Sequence, residues 1–512
     1  MSPLLYNQNM LIIKEMIQKI QRFSSRHVLI LDILFLLFIV IYVLAGVPTT
    51  PFHGDESTYI NISQDYDSVF KKRDFGRVLF NLEGNSKQYI RLTTGSILAY
   101  SIGFVRDVTN NEDPITKWLW GASWDENIKL GNMPAPRLLN LARNCSAVMG
   151  ALGMVVFFFT ALKISASHLV AWVATLILTT HGDVLLNIRR AMQEGPKFLF
   201  IILTIYIASV VIKKLNRINT NRYLYVLLGI ASGVALAAKQ DIAPMLVAIY
   251  LALVLIPIWR KETRQIIFVN IFYLALATVL AFACFLILMP VFWGWWESAF
   301  TLIALVTVLF QFFTWRINAS SKVLALLGCV LAVGLTVKEP NQWNSLLTPL
   351  TSMMQIREET INNQLKLIQN HALDLSNTQN KVDFFLNTVF TSRTMYTEVA
   401  SFEVPPFYEQ VAIYEDSFLS GRIGPSWMDG LIFLFMVFGC WYLLKPFKAE
   451  SIFIFSLFLI SAMLLYTLIP LPWQRYFIIM QIPYSLMAGV GLQKIWNQLK
   501  DKKNCLLKQE AV

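Results

Sequence analysis

Charged side chains are scarce in this sequence: Asp, Glu, Lys and Arg together make up 15% of the residues, against about 25% in a typical soluble protein. Apolar residues make up 56%, and the mean hydropathy is +0.53. This composition excludes both a soluble enzyme and a disordered chain. The 512 residues would correspond to about three soluble domains, but that arithmetic fails once long apolar runs are counted as membrane spans.

Cysteine is also rare, and its spacing carries no chemistry. The five cysteines show no CxxC pair, and most of them lie in apolar runs: Cys145, Cys284, Cys329, Cys440 and Cys505. The pattern therefore indicates neither a disulfide framework nor a zinc site. The net charge of +11 is explained by basic cytoplasmic loops in an apolar chain, and we expect no nucleic-acid partner.

Apolar runs long enough to cross a bilayer about 30 Å thick recur along the chain. The first covers 28–47, and the others lie at about 139–162, 166–182, 197–213, 223–239, 243–259, 266–290, 298–314, 322–338, 430–444, 451–469 and 476–495. They predict an all-α polytopic membrane protein, a bundle of about twelve transmembrane helices.

Basic residues set the predicted orientation, because Lys and Arg stay on the cytoplasmic side of a membrane. Several precede the first run, so we expect the N-terminus inside: Lys14, Lys19, Arg22 and Arg26. Alternation from there places later basic loops, from Lys213 to the Lys494–Lys503 tail, on that same side. We therefore expect a multi-pass protein of the plasma (inner) membrane with both termini cytoplasmic.

The predicted organisation follows from these runs. A cytoplasmic or interfacial segment, 1–27, precedes a transmembrane domain, 28–338, which contains a first outer loop at 49–138. A second outer loop at 339–428, C-terminal transmembrane helices at 429–495 and a cytoplasmic tail at 496–512 complete the chain. Both long loops contain apolar stretches, 96–105 and 384–389, that we expect to fold as short helices. Loops this long are usually functional.

The most informative segment is PFHGDESTY, directly outside the first span. It places Asp55 and Glu56 at the membrane surface, where a carboxylate can reach a lipid headgroup. An ordinary alternative is a solvated acidic turn that begins a helix, with Asp55 as its cap.

The next outward loop, HGDVLLNIRRAMQEGP, contains Asp183, Arg190 and Glu194. If the stretch is helical, Arg190 and Glu194 lie four residues apart and form an ordinary ion pair worth about 0.2–0.5 kcal/mol. A functional interpretation requires the pair to face the first outer loop.

Three further cations lie on the outer face. Arg143 stands about one turn inside the second span, where a charge is costly and needs a partner or a route to the headgroups. Lys239 ends the fifth span, and Arg475 lies between the last two. Each alone fits a boundary anchor. Together with Asp55, Glu56, Arg190 and Glu194, they predict a site for an anionic, lipid-linked ligand.

These segments resemble the GT-C superfamily of polytopic glycosyltransferases, in particular the protein O-mannosyltransferase and aminoarabinose transferase branch. An Asp-Glu pair follows the first span, and ARNCSAVMGAL, RRAMQEGPKFLF, GVALAAKQD, MPVFWGWWES and PWQRYFIIMQIP follow in that branch's order. The motifs run from about residue 55 to 485. The branch's His-Pro-Pro segment is absent from the first loop, and the second loop has no acceptor motif, so the acceptor stays open.

The resemblance implies a GT-C-like bundle that transfers one sugar, hexose or pentose, from a polyprenyl or dolichyl phosphate to an outer acceptor with inversion. Asp55 is then the general base, and Glu56 orients it or binds a sugar hydroxyl. Arg143, Arg190, Lys239 and Arg475 are the expected phosphate ligands, and Glu194, Asp183 and Trp293 the expected sugar or acceptor contacts.

The resemblance implies a lipid-linked sugar donor, a glycan, lipid or protein acceptor, and membrane lipids as partners. A divalent metal is compatible with this reaction but is not expected, because two carboxylates among several cations make a poor divalent site. One alternative is a transporter or flippase of a lipid-linked saccharide, which would use the same cations without a general base.

Overall fold

The computed structural model describes residues 27–80, 86–215, 221–295, 343–368, 378–392, 394, 404–421, 427–445, 448–468 and 473–510. Three predicted elements lie outside the described residues: the spans at 298–314 and 322–338, and all but the last residue of the N-terminal segment 1–27. The described residues contain no β-strand, and the predicted all-α class is confirmed.

Seven helices in the described ranges are long and apolar enough to cross a membrane. They are α1 (His27–Ala45), α7 (Pro136–Ser165), α10 (Glu194–Lys213), α12 (Ala243–Trp259, preceded by the 3-10 turn Gln240–Ile242), α13 (Arg264–Leu288), α17 (Trp427–Leu444) and α18 (Ala449–Leu468). A pair bent by 67°, α8 (His168–Thr179) and α9 (Gly182–Arg189), makes an eighth if it crosses as one span. The shorter apolar α11 (Tyr223–Ala238) and the long α20 (Gln481–Glu510) coincide with two more predicted runs.

The first outer loop folds as short helices around the N-terminal half of the bundle. These are α2 (Gly54–Ile62), α3 (Gln64–Tyr66), α4 (Ser86–Thr93), α5 (Ile97–Val108) and α6 (Trp124–Lys129). Helix α5 coincides with the apolar stretch 96–105, as predicted, and packs against α7, α2 and α3. The first loop therefore packs against helix α7 of the bundle.

The second outer loop contributes three helices to the described residues: α14 (Trp343–Ile368), α15 (Thr378–Phe390) and α16 (Pro405–Asp416). Helix α15 contains the predicted stretch 384–389, and it contacts the single-turn helix α19 (Gln474–Phe477). Helix α16 reaches the first loop, because Phe52 N–H donates to Gln410 Oε1 at 2.9 Å. The two loops therefore meet beside α2.

The most extensive helix–helix packing in the described residues is between α7 and α10, α11 and α13, α12 and α18, and α17 and α20. Ala and Gly line several of these contacts, which allows helix backbones to approach closely in a membrane protein. Gly439 on α17 is such a position, because a Cβ there would overlap the carbonyl oxygen of Met487 on α20.

Arg189 joins three parts of the structure. It is fully buried, and its guanidinium donates to the carbonyl oxygens of Tyr42 at 2.6 Å and Val43 at 2.8 Å, at the end of α1. It also donates to Tyr414 Oη at 3.2 Å and to the Leu419 carbonyl, both in the second loop. Because these donors face carbonyl and hydroxyl oxygens, Arg189 fixes the second loop against the first span.

We predict that Gly439→Ala destabilises the protein. Forcing a side chain into a packed contact costs about 1–3 kcal/mol, more than the helix propensity of about 1 kcal/mol that alanine gains over glycine. The matched control is Gly430→Ala on the same helix, where a Cβ meets nothing within 4 Å. Thermal unfolding in detergent should show a lower midpoint for Gly439→Ala alone, and equal midpoints would contradict the packing argument.

Candidate active site

Helix α2 begins with a capping box built around His53. The Asp55 N–H donates to His53 Nδ1 at 3.1 Å, and the His53 N–H donates to Glu56 Oε1 at 3.0 Å. Such reciprocal bonds satisfy backbone donors that a helix start leaves free. The acidic pair does begin a helix, but the capping residue is His53 rather than Asp55.

Glu56 is fully buried and accepts four hydrogen bonds. Arg143 on α7 holds it in bidentate geometry, with Nε 2.7 Å from Oε2 and Nη2 2.8 Å from Oε1. The Ala191 N–H adds a bond of 2.9 Å to Oε2. Burial would raise the pKa of Glu56, but Arg143, the Ala191 bond and Arg190 outweigh it and lower that pKa. The carboxylate therefore ties α2 to α7 and to the segment after α9.

Asp55 points the other way and pairs with a cation from the C-terminal part of the chain. Arg475 Nη1 donates to Asp55 Oδ2 at 2.6 Å, and the Asp55 side chain is 23% exposed. Burial would raise the pKa of Asp55, but Arg475, His53 and Lys239 hold it below its ordinary value. A carboxylate in this state is deprotonated at neutral pH.

Three buried charges, Glu194, Asp241 and Lys197, and the partly exposed Lys239 extend this pair into the bundle. Lys239 Nζ donates to Glu194 Oε1 and lies 3.4 Å from Asp241 Oδ2. Lys197 Nζ donates to the same Asp241 oxygen at 2.9 Å and to the Arg475 carbonyl at 2.9 Å. We call Asp55, Arg475, Glu194, Lys239, Asp241 and Lys197 the charge cluster. Asp55 comes from the start of α2, and Glu194 and Lys197 come from the first turn of α10. Lys239 and Asp241 directly follow α11, and Arg475 lies in α19.

Tyr59 lies among these charges, one helical turn after Asp55. Burial raises its pKa, and the charges that act on it are those of Lys239, Asp55, Glu194 and Arg475. The Tyr59 hydroxyl therefore stays protonated beside the carboxylates of Asp55 and Glu194. Tyr476 also borders the cluster, with Lys239 Nζ 5.1 Å from its ring centre.

The ordinary alternative for Arg190 and Glu194, an ion pair on one helix, requires residues 190–194 to be helical, and they are not. Arg190 ends α9 in an extended conformation, and α10 begins at Glu194. The chain turns between them, so they are not on successive turns of one helix. Arg190 Nε instead donates to the Pro51 carbonyl at 3.3 Å, and its charge acts on Glu56. Arg190 thus lies on the Glu56 side of α2, whereas Glu194 lies in the charge cluster.

Two other predicted residues lie apart from the charge cluster. Asp183, in the first turn of α9, is buried and acts electrostatically on Tyr414 of the second loop. Trp293 donates to the Ile287 carbonyl at 3.0 Å and packs beside Phe75, with ring centres 5.9 Å apart. Trp293 borders an apolar cavity instead.

Sequence reasoning missed Lys197, Asp241 and Tyr59. A signal did exist for the first two, because an ionisable residue inside a membrane-spanning segment needs a partner or a function. Both stand within or beside apolar runs, in EGPKFLF and AAKQD. Tyr59 carries no such signal, since tyrosine is common at membrane surfaces.

Among the described residues, no three His, Cys, Asp or Glu side chains come together in a way that could hold a metal ion. The acids of the charge cluster are paired with Lys and Arg instead. The arrangement offers a carboxylate at the edge and several cations behind it, which suits a ligand that carries both a phosphate and hydroxyl groups.

The family model described as Dolichyl-phosphate-mannose-protein mannosyltransferase matches residues 123–301. The resemblance to this branch of membrane glycosyltransferases is confirmed. The matched segment contains Arg143, Arg190, Glu194 and Lys239, whereas Asp55 and Arg475 lie outside it. No protein with a curated description matches the sequence.

Several solved structures align with this chain at low sequence identity. The S. cerevisiae protein O-mannosyltransferase Pmt1-Pmt2 complex bound to the sugar donor is 16% identical, with a TM-score of 0.37 over 51% of this chain and 33% of that one. The Archaeoglobus fulgidus oligosaccharyltransferase AglB, in complex with an inhibitory peptide and a dolichol-phosphate, is 12% identical, with a TM-score of 0.43 over 93% and 52%. ArnT from Cupriavidus metallidurans, bound to undecaprenyl phosphate, is 12% identical, with a TM-score of 0.33 over 89% and 77%. The chain thus spans about a third of the length of the S. cerevisiae chain and about half of the length of the A. fulgidus chain.

We predict that Glu56→Gln strongly destabilises the protein, because it leaves the Arg143 guanidinium buried without its counter-charge. Removing one partner of a buried pair costs about 3–5 kcal/mol. Thermal unfolding in detergent measures the loss.

The control is Glu126→Gln. Glu126 has the same place in a capping box, at the start of α6, but it is exposed. Gln can take the same role in a capping box, so the cap of α6 is kept and this exposed substitution should change stability by no more than about 0.5 kcal/mol. If both variants unfold at the wild-type temperature, the pair with Arg143 does not stabilise the fold.

Proposed function

We propose that this protein is a membrane glycosyltransferase that moves one sugar from a polyprenyl or dolichyl phosphate to an acceptor on the outer face, with inversion. The observation that carries the proposal is the pairing of Asp55, just outside the first span, with Arg475 at the edge of the charge cluster. Asp55 at this edge contacts Arg475, and the carboxylates of Glu194 and Asp241 contact Lys239 in the same cluster. One oxygen of Glu194 and one of Asp241 have no hydrogen-bond partner in the described part of the chain.

Asp55 is the proposed general base. The acceptor oxygen attacks the anomeric carbon, its proton passes to the Asp55 carboxylate, and the bond between the sugar and the phosphate oxygen breaks. Its lowered pKa keeps Asp55 deprotonated before the reaction, and its partial exposure leaves it open to an acceptor. Glu56 supports this role from the next position, because its four bonds orient the start of α2. That arrangement favours the orienting role of Glu56 over a sugar contact.

Cations of the charge cluster are the proposed ligands of the leaving phosphate. The phosphate gains charge as the sugar departs, and prearranged positive groups stabilise that charge most in a site from which water is excluded. Arg475 and Lys239 are partly exposed, at 8% and 12% of their side chains. Arg143 and Arg190 lie behind Glu56, so we propose that they act on the phosphate through the positive field at the site.

Glu194 is the proposed contact to the sugar. Its Oε1 is held by Lys239, while its Oε2 is buried without a hydrogen-bond partner in the described part of the chain. A buried acceptor without a donor costs free energy, and a sugar hydroxyl can supply that donor. We retain Asp183 as a proposed acceptor contact on the side of the second loop. Trp293 lines the cavity described next, so we propose that it contacts the donor's tail and not the acceptor.

A cavity of about 870 Å³ is the proposed site of the donor's isoprenoid tail. It lies between α5, the outer part of α7 and the end of α13, and we call it the apolar groove. Its lining is almost entirely apolar and includes Phe70, Phe104, Val148, Leu288 and Trp293. A polyprenyl chain has matching chemistry, since it offers no hydrogen-bonding groups.

The protein is a multi-pass membrane protein, and we propose the plasma (inner) membrane as its compartment, with both termini cytoplasmic. We also propose the division into segments at 1–27, 28–338, 339–428, 429–495 and 496–512. In this arrangement both loops and the charge cluster face outward. The acceptor, whether glycan, lipid or protein, approaches from that side.

We predict that Asp55→Asn abolishes sugar transfer, because an amide cannot take up the acceptor's proton. General-base catalysis contributes about 10²–10⁴-fold to such a rate, so activity should fall by at least that factor. The assay follows labelled sugar from a polyprenyl-phosphate donor with purified protein in detergent.

Asp125→Asn is the matched control, since Asp125 is an exposed acid of the same loop. It should transfer sugar at the wild-type rate. Full activity in Asp55→Asn would remove Asp55 from its assigned role. Movement of intact donor across vesicles without cleavage would favour a transporter over a transferase.

A second prediction concerns the apolar groove. Val148→Trp should raise the KM for a long-chain donor by about 10- to 100-fold, because overfilling a packed space costs about 1–3 kcal/mol. A donor with one or two isoprene units should be unaffected.

Val226→Trp on α11 is the control, because Val226 is similarly exposed, 40% against 45%, but lies away from the groove. An equal response to long and short donors would contradict the assignment of the groove to the tail.

A further inference from the structure

Lys197 is a fully buried lysine in the first turn of α10. It stands three residues after Glu194, so both side chains project from the same turn. An ammonium group in such a place is costly unless its hydrogen bonds are satisfied. Two acceptors satisfy it, Asp241 Oδ2 and the Arg475 carbonyl, each at 2.9 Å.

The Arg475 carbonyl belongs to a segment with little internal support. Helix α19 has four residues and is followed by the 3-10 turn Ile478–Met480. The last carbonyls of a helix lack partners within it. In α19 the Gln474 carbonyl accepts from the Ile478 N–H, and the Arg475 carbonyl accepts from Lys197. The Lys197 bond therefore supplies a fixed point that the helix cannot supply by itself.

The Arg475 side chain carries this fixed point to Asp55. Its guanidinium lies 4.4 Å from the ring centre of Trp473, and its Nη1 reaches Asp55 Oδ2 at 2.6 Å. A shift of about 1 Å in such a pair is enough to disturb a reactive geometry. Loss of the Lys197 bond would free the backbone from which the guanidinium extends.

Asp241 connects the same lysine to the other half of the charge cluster. The Oδ2 atom that accepts from Lys197 also lies 3.4 Å from Lys239, which in turn holds Glu194. The charged groups that act on Asp55 are Arg475 from α19, His53 beside it and Lys239 after α11. Tyr59, on the same helix, is coupled to it electrostatically, and Glu56 is the next residue of that helix. Of these, Arg475 is the one that Lys197 touches.

We propose that Lys197 is a positioning residue: it holds the backbone of Arg475, and through it the guanidinium that partners Asp55. The proposal rests on the proposed function for its role in catalysis, but the contact itself can be tested without activity. Lys197 is a positioning residue and not a donor ligand in this proposal, because its Nζ bonds go to Asp241 and to the Arg475 carbonyl inside the protein.

The test is Lys197→Met in the full-length protein in detergent. Infrared pH titration follows the Asp55 carboxyl band, identified by its absence from Asp55→Asn. A neighbouring arginine lowers an aspartate pKa by about 1–3 pH units. If Lys197→Met displaces Arg475, the pKa of Asp55 should therefore rise by about one pH unit. Because the base must be deprotonated, the acid limb of the rate profile should move upward by the same amount.

Lys213→Met is the matched control. Lys213 ends the same helix, is exposed, and also donates to a backbone carbonyl, that of Lys163. It should leave the Asp55 titration unchanged. If Lys197→Met does not fold, Lys197→Met with Asp241→Asn removes both buried charges together and should show the same upward shift.

An unchanged Asp55 titration in a folded Lys197 variant would overturn the proposal and leave Lys197 a purely structural residue. If Lys197→Met shifts the Asp55 titration but the wild-type protein never transfers sugar, the contact is upheld and the proposed function is refuted. A shift in both the titration and the rate profile supports both.

Discussion

The buried ion pair between Glu56 and Arg143 is the interaction on which the rest of the site depends. Glu56 receives two bonds from Arg143, one from the Ala191 backbone and one from the His53 backbone. These donors come from α7, from the turn after α9 and from the start of α2. One carboxylate thus fixes three segments that are distant in sequence, and Asp55 takes its direction from the helix start that results.

Burial makes this arrangement specific. A charge removed from water needs a partner in good geometry, and an unpaired one is strongly destabilising. In the charge cluster each acid is paired with a cation: Asp55 with Arg475, Glu194 with Lys239, and Asp241 with Lys197. Because each partner comes from a different helix or loop, the charges also specify how the helices meet. Glu194 Oε2 and Asp241 Oδ1 remain without a donor in the described part of the chain, and in the proposed function the Glu194 oxygen accepts a sugar hydroxyl.

Much of the fold is local information that the sequence displays. Hydropathy marks each span over about 20 residues, and the short apolar stretches inside the loops did become α5 and α15. The ordinary helical pairing of Arg190 with Glu194 does not form, because it requires a continuous helix and residues 191–193 break it. Lys197 was overlooked because a lysine at the edge of an apolar run has an ordinary explanation as an anchor.

The sequence by itself determined the all-α class, the positions of the spans and the residues capable of acid–base and phosphate chemistry. Only the tertiary structure decided which of those residues meet. Arg475 pairs with Asp55 across 420 positions of the chain, and Arg143 reaches Glu56 across 87. The physical reason is that hydropathy can be read from neighbouring residues of the sequence. An ion pair forms only where packing brings two side chains within about 4 Å, and residues far apart in the sequence can meet in this way.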